Sequence, residues 1–410
     1  MPEIQPFPGI LYRVPDAELS QVLAPPYDVI PPAYQEELYA RDPRNIVRVV
    51  LNRNAEDAAY AEAGETYQQW RKEGVLATDE APALYLLEQD FTAEGRSCTR
   101  VGLLARFRAE DPAKGGSVLP HEQTRKAARE DRYKLLKATR ANFSPIFLMF
   151  ADAAGRFAAE AATFTGAKPA VTYTDDGGIV HRLWRVTDPR AVAAFRDVLG
   201  AGKAYIADGH HRYDTALRYA AEVGGPEGAW TLGYFTSMDA PGLVVLPYHR
   251  IVSQGPSVDE ARRALAGKFL VSDAKDVPSA AHAAEHSTMP YAFALAEPGG
   301  RAIVAEALPE AEDLLDAGTP PSLRALDTYF LHRAVLKPLL GIPDEAVNYV
   351  HSRKEAEEAV AHRSCKLAVL MRGTPVRQIV AVADAKESMP AKSTFFHPKL
   401  PSGLVIHPLP

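Results

Sequence analysis

Cysteine is nearly absent: the 410 residues contain only Cys98 and Cys365. They stand far apart and outside any Cys-x-x-Cys or Cys/His spacing, so neither a disulfide framework nor a zinc site is expected. Long apolar runs are missing too, and none approaches the roughly 20 residues that a membrane helix needs. Residues Met1 to Gly9 lack the basic stretch and apolar core of a signal peptide, which makes the cytoplasm the expected location. A basic excess is also lacking. Lys and Arg number 46 against 52 Asp and Glu, a formal net charge of -6, which gives no general attraction for nucleic acid or anionic lipid. No helix-turn-helix, P-loop or kinase glycine loop occurs.

What is present is an ordinary globular composition, 47% hydrophobic and 24% charged, in a chain long enough for two or three packed units. Three are expected: an N-terminal α+β lobe over 1–114, a central unit over 115–222, and a C-terminal α/β lobe over 223–410 whose tail returns to the site. In the first, Glu56 to Lys72 reads as a helix with Tyr60, Ala63, Tyr67 and Trp70 at helical spacing, and strands are expected around Ala83 to Leu87 and Val101 to Ala105. Further on, helices are expected at Val258 to Lys268, Asp327 to Leu340 and Lys354 to His362. Strands are expected at Tyr291 to Leu295 and Lys366 to Met371, with an irregular tail from Ala385.

Tyr205-Ile206-Ala207-Asp208-Gly209-His210-His211-Arg212-Tyr213 reads as a strand that turns at Asp-Gly into a helix over Tyr213 to Ala221. First-turn amides of a helix have no partner within it, and together with the helix dipole they attract anions. Glycine permits close approach, Asp208 is a candidate N-cap, and Arg212 adds a fork of donors suited to phosphate oxygens. His210 and His211 supply further donors or, when protonated, positive charge. The plain alternative is a capped turn with two surface histidines; the Gly-His-His-Arg continuation favours a phosphate site.

Pro120-His121-Glu122-Gln123-Thr124 places a carboxylate just before a charged helix running through Lys137. With an ordinary pKa of about 4.3, Glu122 is ionised at neutral pH and suited to accept a hydroxyl proton; the alternative is a helix-capping or solvated glutamate. The sequence does not form the zinc-protease signature, since position 125 is Arg125. Met389 to Lys399 gathers Lys392, Ser393 and Thr394 in a segment of little regular structure, and Ala24 to Ile30 is a proline-stiffened loop carrying Tyr27 and Asp28.

Together these segments resemble the free-serine kinases of the ParB/sulfiredoxin superfamily, and a large related bacterial family of unknown function. The second resemblance spans nearly the whole chain, resting also on Asp131-Arg132 and on Asn142 to Ile146. It implies an α+β fold with a ParB/sulfiredoxin-like core and large N-terminal and C-terminal additions. It further implies Glu122 as base for a serine hydroxyl, with Asp208, Gly209, His210, His211 and Arg212 on the donor's phosphates and Glu122, His210 and Arg212 as the catalytic set. Lys392, Ser393 and Thr394 align with a phosphate-side Lys-Thr-Thr-Arg stretch, although its arginine is Phe395 here. Tyr27, Asp28 and His121 fall on the substrate's side. ATP, ADP or pyrophosphate is the implied donor, carried with Mg2+ that Asp208 helps to hold, and the implied partner is a small hydroxylated metabolite rather than nucleic acid or membrane. Glu122 and His210 lie about twice as far apart as in the compact kinases, which implies inserted elements between them. His210 stands where sulfiredoxin has its nucleophilic cysteine, so sulfinic-acid repair is not expected. A ParB-like nucleotide-binding regulator and a phosphatase or hydrolase are the alternative readings of the same residues.

Overall fold

A computed structural model describes residues 2–54, 57–223 and 227–410. The chain divides into two compact units. The first comprises Met1–Pro120, Thr124–Val244 and Pro398–Pro410, and the second His121–Gln123 and Val245–His397. The sequence-based boundaries after 114 and after 222 both fall inside the first unit, because its nine-stranded sheet draws strands from both sides of each.

That sheet runs in the order Val118–Leu119, Ala204–Asp208, Ile146–Phe150, Trp230–Ser237, Arg96–Arg108, Leu84–Ala93, Val180–Val186, Val171–Thr174, with Ile4–Gln5 added beside Arg96–Arg108. The two long strands form a hairpin closed by Glu94 and Gly95, both at positive φ (48° and 76°), the backbone sign that matches strand twist in a two-residue turn. They extend beyond the expected apolar runs because their polar ends also pair. Ile146–Phe150 is buried along its whole length, as a central strand covered on both faces requires. It lies antiparallel to Ala204–Asp208 and parallel to Trp230–Ser237.

The expected N-terminal helix starts at Glu56, outside the described residues; within them it runs Ala58–Lys72 and buries Ala59, Ala63, Gly64, Tyr67 and Trp70. Tyr60 instead donates its hydroxyl to Asp131, 2.8 Å away. The charged helix Lys126–Thr139 packs against both this helix and His210–Val223.

The second unit is built on a six-stranded antiparallel sheet ordered Phe269–Ala274, Ala302–Ala307, Ala292–Ala296, Leu367–Met371, His249–Val252, Val347–Val350. Its strands alternate size as well as side. Phe293, Leu295, Ile303, Val369 and Met371 join one core with Phe330 and Leu331. Ala294, Ala296, Ala302 and Ala368 face the other core with helices Val277–His286 and Arg353–Ala361. Small residues on that face let helix backbones lie close to the sheet. Helix Val258–Leu265 begins at a capping box of Ser257 and Glu260, which satisfies two otherwise unpaired backbone donors. The helix expected over Asp327 to Leu340 is a short α-helix, Asp327–Phe330, that widens into a π-helix at Leu331–Leu336.

Both units thus mix helices with sheets. Among the described residues no helix is long and apolar enough to cross a membrane.

Candidate functional site

Strand Ala204–Asp208 ends with a register shift between Ile206 and Asp208 against its neighbour, a local irregularity that re-aims the last side chain. Gly209 follows at φ +95°, a conformation costly for any residue with a Cβ. A Cβ there would also meet the Arg212 guanidinium at 3.0 Å. The helix begins at His210, three residues earlier than the sequence suggested, because Gly209 already supplies the reversal. Its first internal bond runs from Tyr213 N–H to the Gly209 carbonyl at 2.9 Å. His210, His211 and Arg212 therefore occupy the first turn, where N–H groups have no acceptor within the helix.

The expected N-cap role does not fall to Asp208, since Gly209 stands directly before the helix. Asp208 instead binds two cations: one carboxylate oxygen accepts from Arg212 Nη2 at 2.5 Å and the other pairs with the Lys399 ammonium. Burial alone would raise its pKa, but Lys399 and Arg212, with His210 adding to them, outweigh it and hold the carboxyl well below the ordinary range. Arg212 spends a second donor on the Pro145 carbonyl. The guanidinium expected to reach out to phosphate is thus in large part a brace for the turn. Lys399, which sequence reasoning left outside the site, is in it. The only sequence signal for it was its place at the end of the Met389 to Lys399 stretch.

His211 also departs from expectation. Its Nε2 accepts the Arg125 backbone N–H at 2.9 Å, which requires an unprotonated nitrogen there and so a neutral ring. Burial lowers its pKa, partly opposed by Asp28 and Asp214. This bond ties together the starts of two helices. Thr124 Oγ1 donates to Asp214 at 2.5 Å, Arg218 reaches Glu130 at 2.7 Å, and Tyr133 bonds Glu222. Because the contacts advance in the same direction along both chains, Lys126–Thr139 and His210–Val223 are parallel. Their positive dipole ends lie side by side at His211, and each adds to the attraction for an anion. His210 is buried at the start of its helix.

Arg212 and Thr215 also line a cavity of about 60 Å³ with Tyr27, Arg132, Phe143 and Ser144. The Arg132 guanidinium lies over the Tyr27 ring, 3.9 Å from its centroid. Tyr27 therefore shares a cavity wall with Arg212, while Asp28 is exposed and acts on His211 through its charge.

The remaining predicted residues belong to the second unit. Glu122 bridges to Met389 in parallel fashion, and Met389 N–H donates to the buried His121 carbonyl at 2.8 Å. Lys392, at φ +60°, directs its ammonium to the Tyr248 hydroxyl at 3.4 Å and lies 5.0 Å from that ring's centroid. Ser393 is buried and donates to the Pro390 carbonyl at 2.6 Å, while its own carbonyl accepts from Thr374. These bonds make Ser393 a turn former rather than the phosphate ligand expected, with Thr394 following it half-buried. The predicted residues thus sort into two sets: Tyr27, Asp28 and Asp208 to Arg212 in the first unit, and His121, Glu122 and Lys392 to Thr394 in the second.

Resident magnesium does not fit Asp208, whose two oxygens are both taken by cations. Among the described residues no group of three or more His, Cys, Asp or Glu side chains is placed to hold a metal ion.

The family described as "Protein of unknown function (DUF1015)" matches residues 4–329, and the chain belongs to that family. No curated protein matches the chain. Among solved structures, a free serine kinase in complex with AMP is similar at 13% identity, with a TM-score of 0.34 over 68% of this chain and 83% of that one. A conserved hypothetical protein from Pyrococcus furiosus gives 13% identity and a TM-score of 0.35 over 70% and 90%. SbnI with C-terminal truncation, from Staphylococcus aureus, gives 9% and 0.34 over 69% and 81%.

Proposed function

We propose that this DUF1015-family chain is a small-molecule kinase, built around a ParB/sulfiredoxin-like core, that transfers a phosphoryl group from a nucleotide or pyrophosphate to the hydroxyl of free L-serine. The observation that carries this reading is the meeting of two parallel helix N-termini at His211, beside a glycine turn at φ +95°. Such a place concentrates positive potential and backbone donors without spending a mobile side chain.

In this reading the phosphates of the donor lie on the first-turn amides of His210–Val223, with the His210 imidazole beside them. Arg212 and Lys399, fixed by their shared carboxylate Asp208, keep positive charge at the turn before the ligand arrives. That preorganisation stabilises charge on the transferring oxygens. The serine Oγ forms the new bond to phosphorus as the bond from phosphorus to the donor's bridging oxygen breaks. The hydroxyl proton passes to the Glu122 carboxylate. Magnesium enters as part of the donor, on its phosphates, rather than on a resident protein site.

The test is to incubate the purified protein with magnesium and L-serine and, separately, ATP, ADP or pyrophosphate, and to measure O-phosphoserine. Glu122→Gln is expected to lower turnover about 10²- to 10⁴-fold, the usual reach of general-base catalysis, with donor affinity retained. Absence of phosphoserine with every donor rejects the reading, and full turnover in Glu122→Gln removes the base from it.

A further inference from the structure

A second cavity, of about 160 Å³, opens in the first unit between the N-terminal helices and the loop after strand Val171–Thr174. Ser20, Tyr34, Arg41, Tyr173, Asp176 and Lys399 are among the residues that line it. Tyr173 and Asp176 lie between Glu122 and His210 in the sequence.

Three observations bear on its occupant. Tyr173 is 5% exposed, and its hydroxyl has no hydrogen-bond partner among the described residues. Its ring is fixed by stacking on His181, 4.5 Å between centroids and 5° between planes, with His181 in turn held by Asp175 at 2.9 Å. A buried hydroxyl left unpaired is destabilising unless something entering the cavity completes it. Next, the charged lining is balanced, with Arg41 and Lys399 against Asp175 and Asp176, so it favours neither a bare anion nor a bare cation. Finally, the charged groups are already positioned while retaining capacity. Among the described residues Asp176 accepts Tyr34 and Arg41 on Oδ2 alone, which leaves Oδ1 as an acceptor. Arg41 spends Nη1 and Nη2 on Ser20, Asp176 and Glu37, and its Nε makes no hydrogen bond among the described residues.

We infer that this cavity binds a small zwitterion, a free α-amino acid. Its ammonium is taken by Asp176 and its carboxylate by Arg41, Lys399 and the Tyr173 hydroxyl, which leaves the side-chain hydroxyl of the amino acid free to react. The site deepens the proposed function and rests on it only for naming L-serine. Lys399 belongs both to this lining and to the ion pair with Asp208, so it joins the amino-acid cavity to the glycine turn.

Calorimetric titration of the whole chain without any phosphate donor tests the inference, with L-serine, L-serine methyl ester and inorganic phosphate as separate titrants. Saturable binding of L-serine is expected, with none of the ester, which has lost the carboxylate charge. Tyr173→Phe is expected to weaken serine binding about tenfold, the value of one hydrogen bond. The empty variant should melt at the same temperature as the parent or higher, because an unpaired hydroxyl has been removed. Asp176→Asn should weaken binding by about tenfold or more, as for a bond to a charged group. The inference is overturned if L-serine does not bind, or if both variants keep the parent's affinity for it. Binding that depends on Tyr173 but yields no phosphoserine with any donor upholds the cavity while rejecting the kinase. Phosphoserine formation that is indifferent to both substitutions does the reverse.

Discussion

Replacing Asp208 by asparagine is expected to make the protein less stable and, at the same time, a better binder of phosphate. Asp208, Lys399 and Arg212 are 16%, 13% and 14% exposed at their side chains, so the charges are mostly withdrawn from water. Removing one partner of such a cluster leaves the others uncompensated, a loss of about 3–5 kcal/mol for a fully buried pair; the residual exposure places this case near the lower figure. At roughly 2–4 °C per kcal/mol for a unit of this size, the midpoint of thermal unfolding should fall by roughly 6–12 °C. The full effect is present at pH 7. The folded-state pKa of Asp208 is depressed, so its contribution holds above the unfolded value of about 3.9 and is lost only as pH falls toward the folded one. In the parent, however, a bound phosphate competes with Asp208 for the same two cations, and in Asp208→Asn it does not. Pyrophosphate at about 100 times its Kd returns about 2.7 kcal/mol, so the variant should regain much of the lost temperature. Thermal melts of both proteins with and without pyrophosphate decide the matter. An asparagine variant that melts with the parent, or that pyrophosphate shifts less than the parent, refutes the idea that this carboxylate holds two cations in readiness for an anion.

Acid should destabilise the chain well before its carboxylates titrate. Burial lowers the pKa of His211, and takes His249 and His332 to about 4 and His407 to about 3. Each such imidazole binds a proton in the unfolded chain but not in the folded one between its folded value and about 6.5, so stability declines as pH falls through that window. A melting temperature unchanged from pH 7 to pH 4 would contradict this. Gly209→Ala should cost about 1–3 kcal/mol through its positive φ, and more if the Arg212 guanidinium cannot move from the 3.0 Å contact; chemical denaturation measures it, and a neutral result would mean the turn has another conformation. Ala294→Leu, at a fully buried position facing the helix-covered side of the second sheet, should destabilise that unit by about 1–3 kcal/mol through overpacking, whereas a stabilised variant would show that the small-residue face is loosely packed.

The glycine turn was legible because its information is local. An apolar run, Asp-Gly and an uninterrupted helical stretch lie within about twenty residues, and positive φ is a property of glycine itself. Two strands of the second sheet were legible for a similar reason, with Tyr291 to Leu295 and Lys366 to Met371 read within a residue or two of Ala292–Ala296 and Leu367–Met371. What escaped was whatever depends on partners distant in sequence. Lys399 meets Asp208 across 191 positions, and no periodicity announces that encounter. The neutral state of His211 follows from a backbone N–H on another helix. The unit boundaries were missed because strand order, rather than composition, decides them: Trp230–Ser237 pairs with Arg96–Arg108 and Ile146–Phe150, and no change in residue usage marks that return. The widening to a π-helix at Leu331–Leu336 leaves the apolar pattern nearly intact, so a continuous helix over Asp327 to Leu340 was the natural reading.

Residues 398–410 bear on how the molecule comes into being. Ser402 bonds to Ala24, Ile406 to Ile10 and His407 to Asn142, and Lys399 supplies one of the cations around Asp208. A growing polypeptide emerges in order of sequence, so the earlier portions of the first unit must wait, unfinished, while some 150 intervening residues are made and largely complete a sheet of their own. Any nascent or clipped chain that stops short of Lys399 would carry the glycine turn without its lysine. The share of positive charge that this lysine brings to the turn is thereby reserved for molecules whose synthesis has run past position 399.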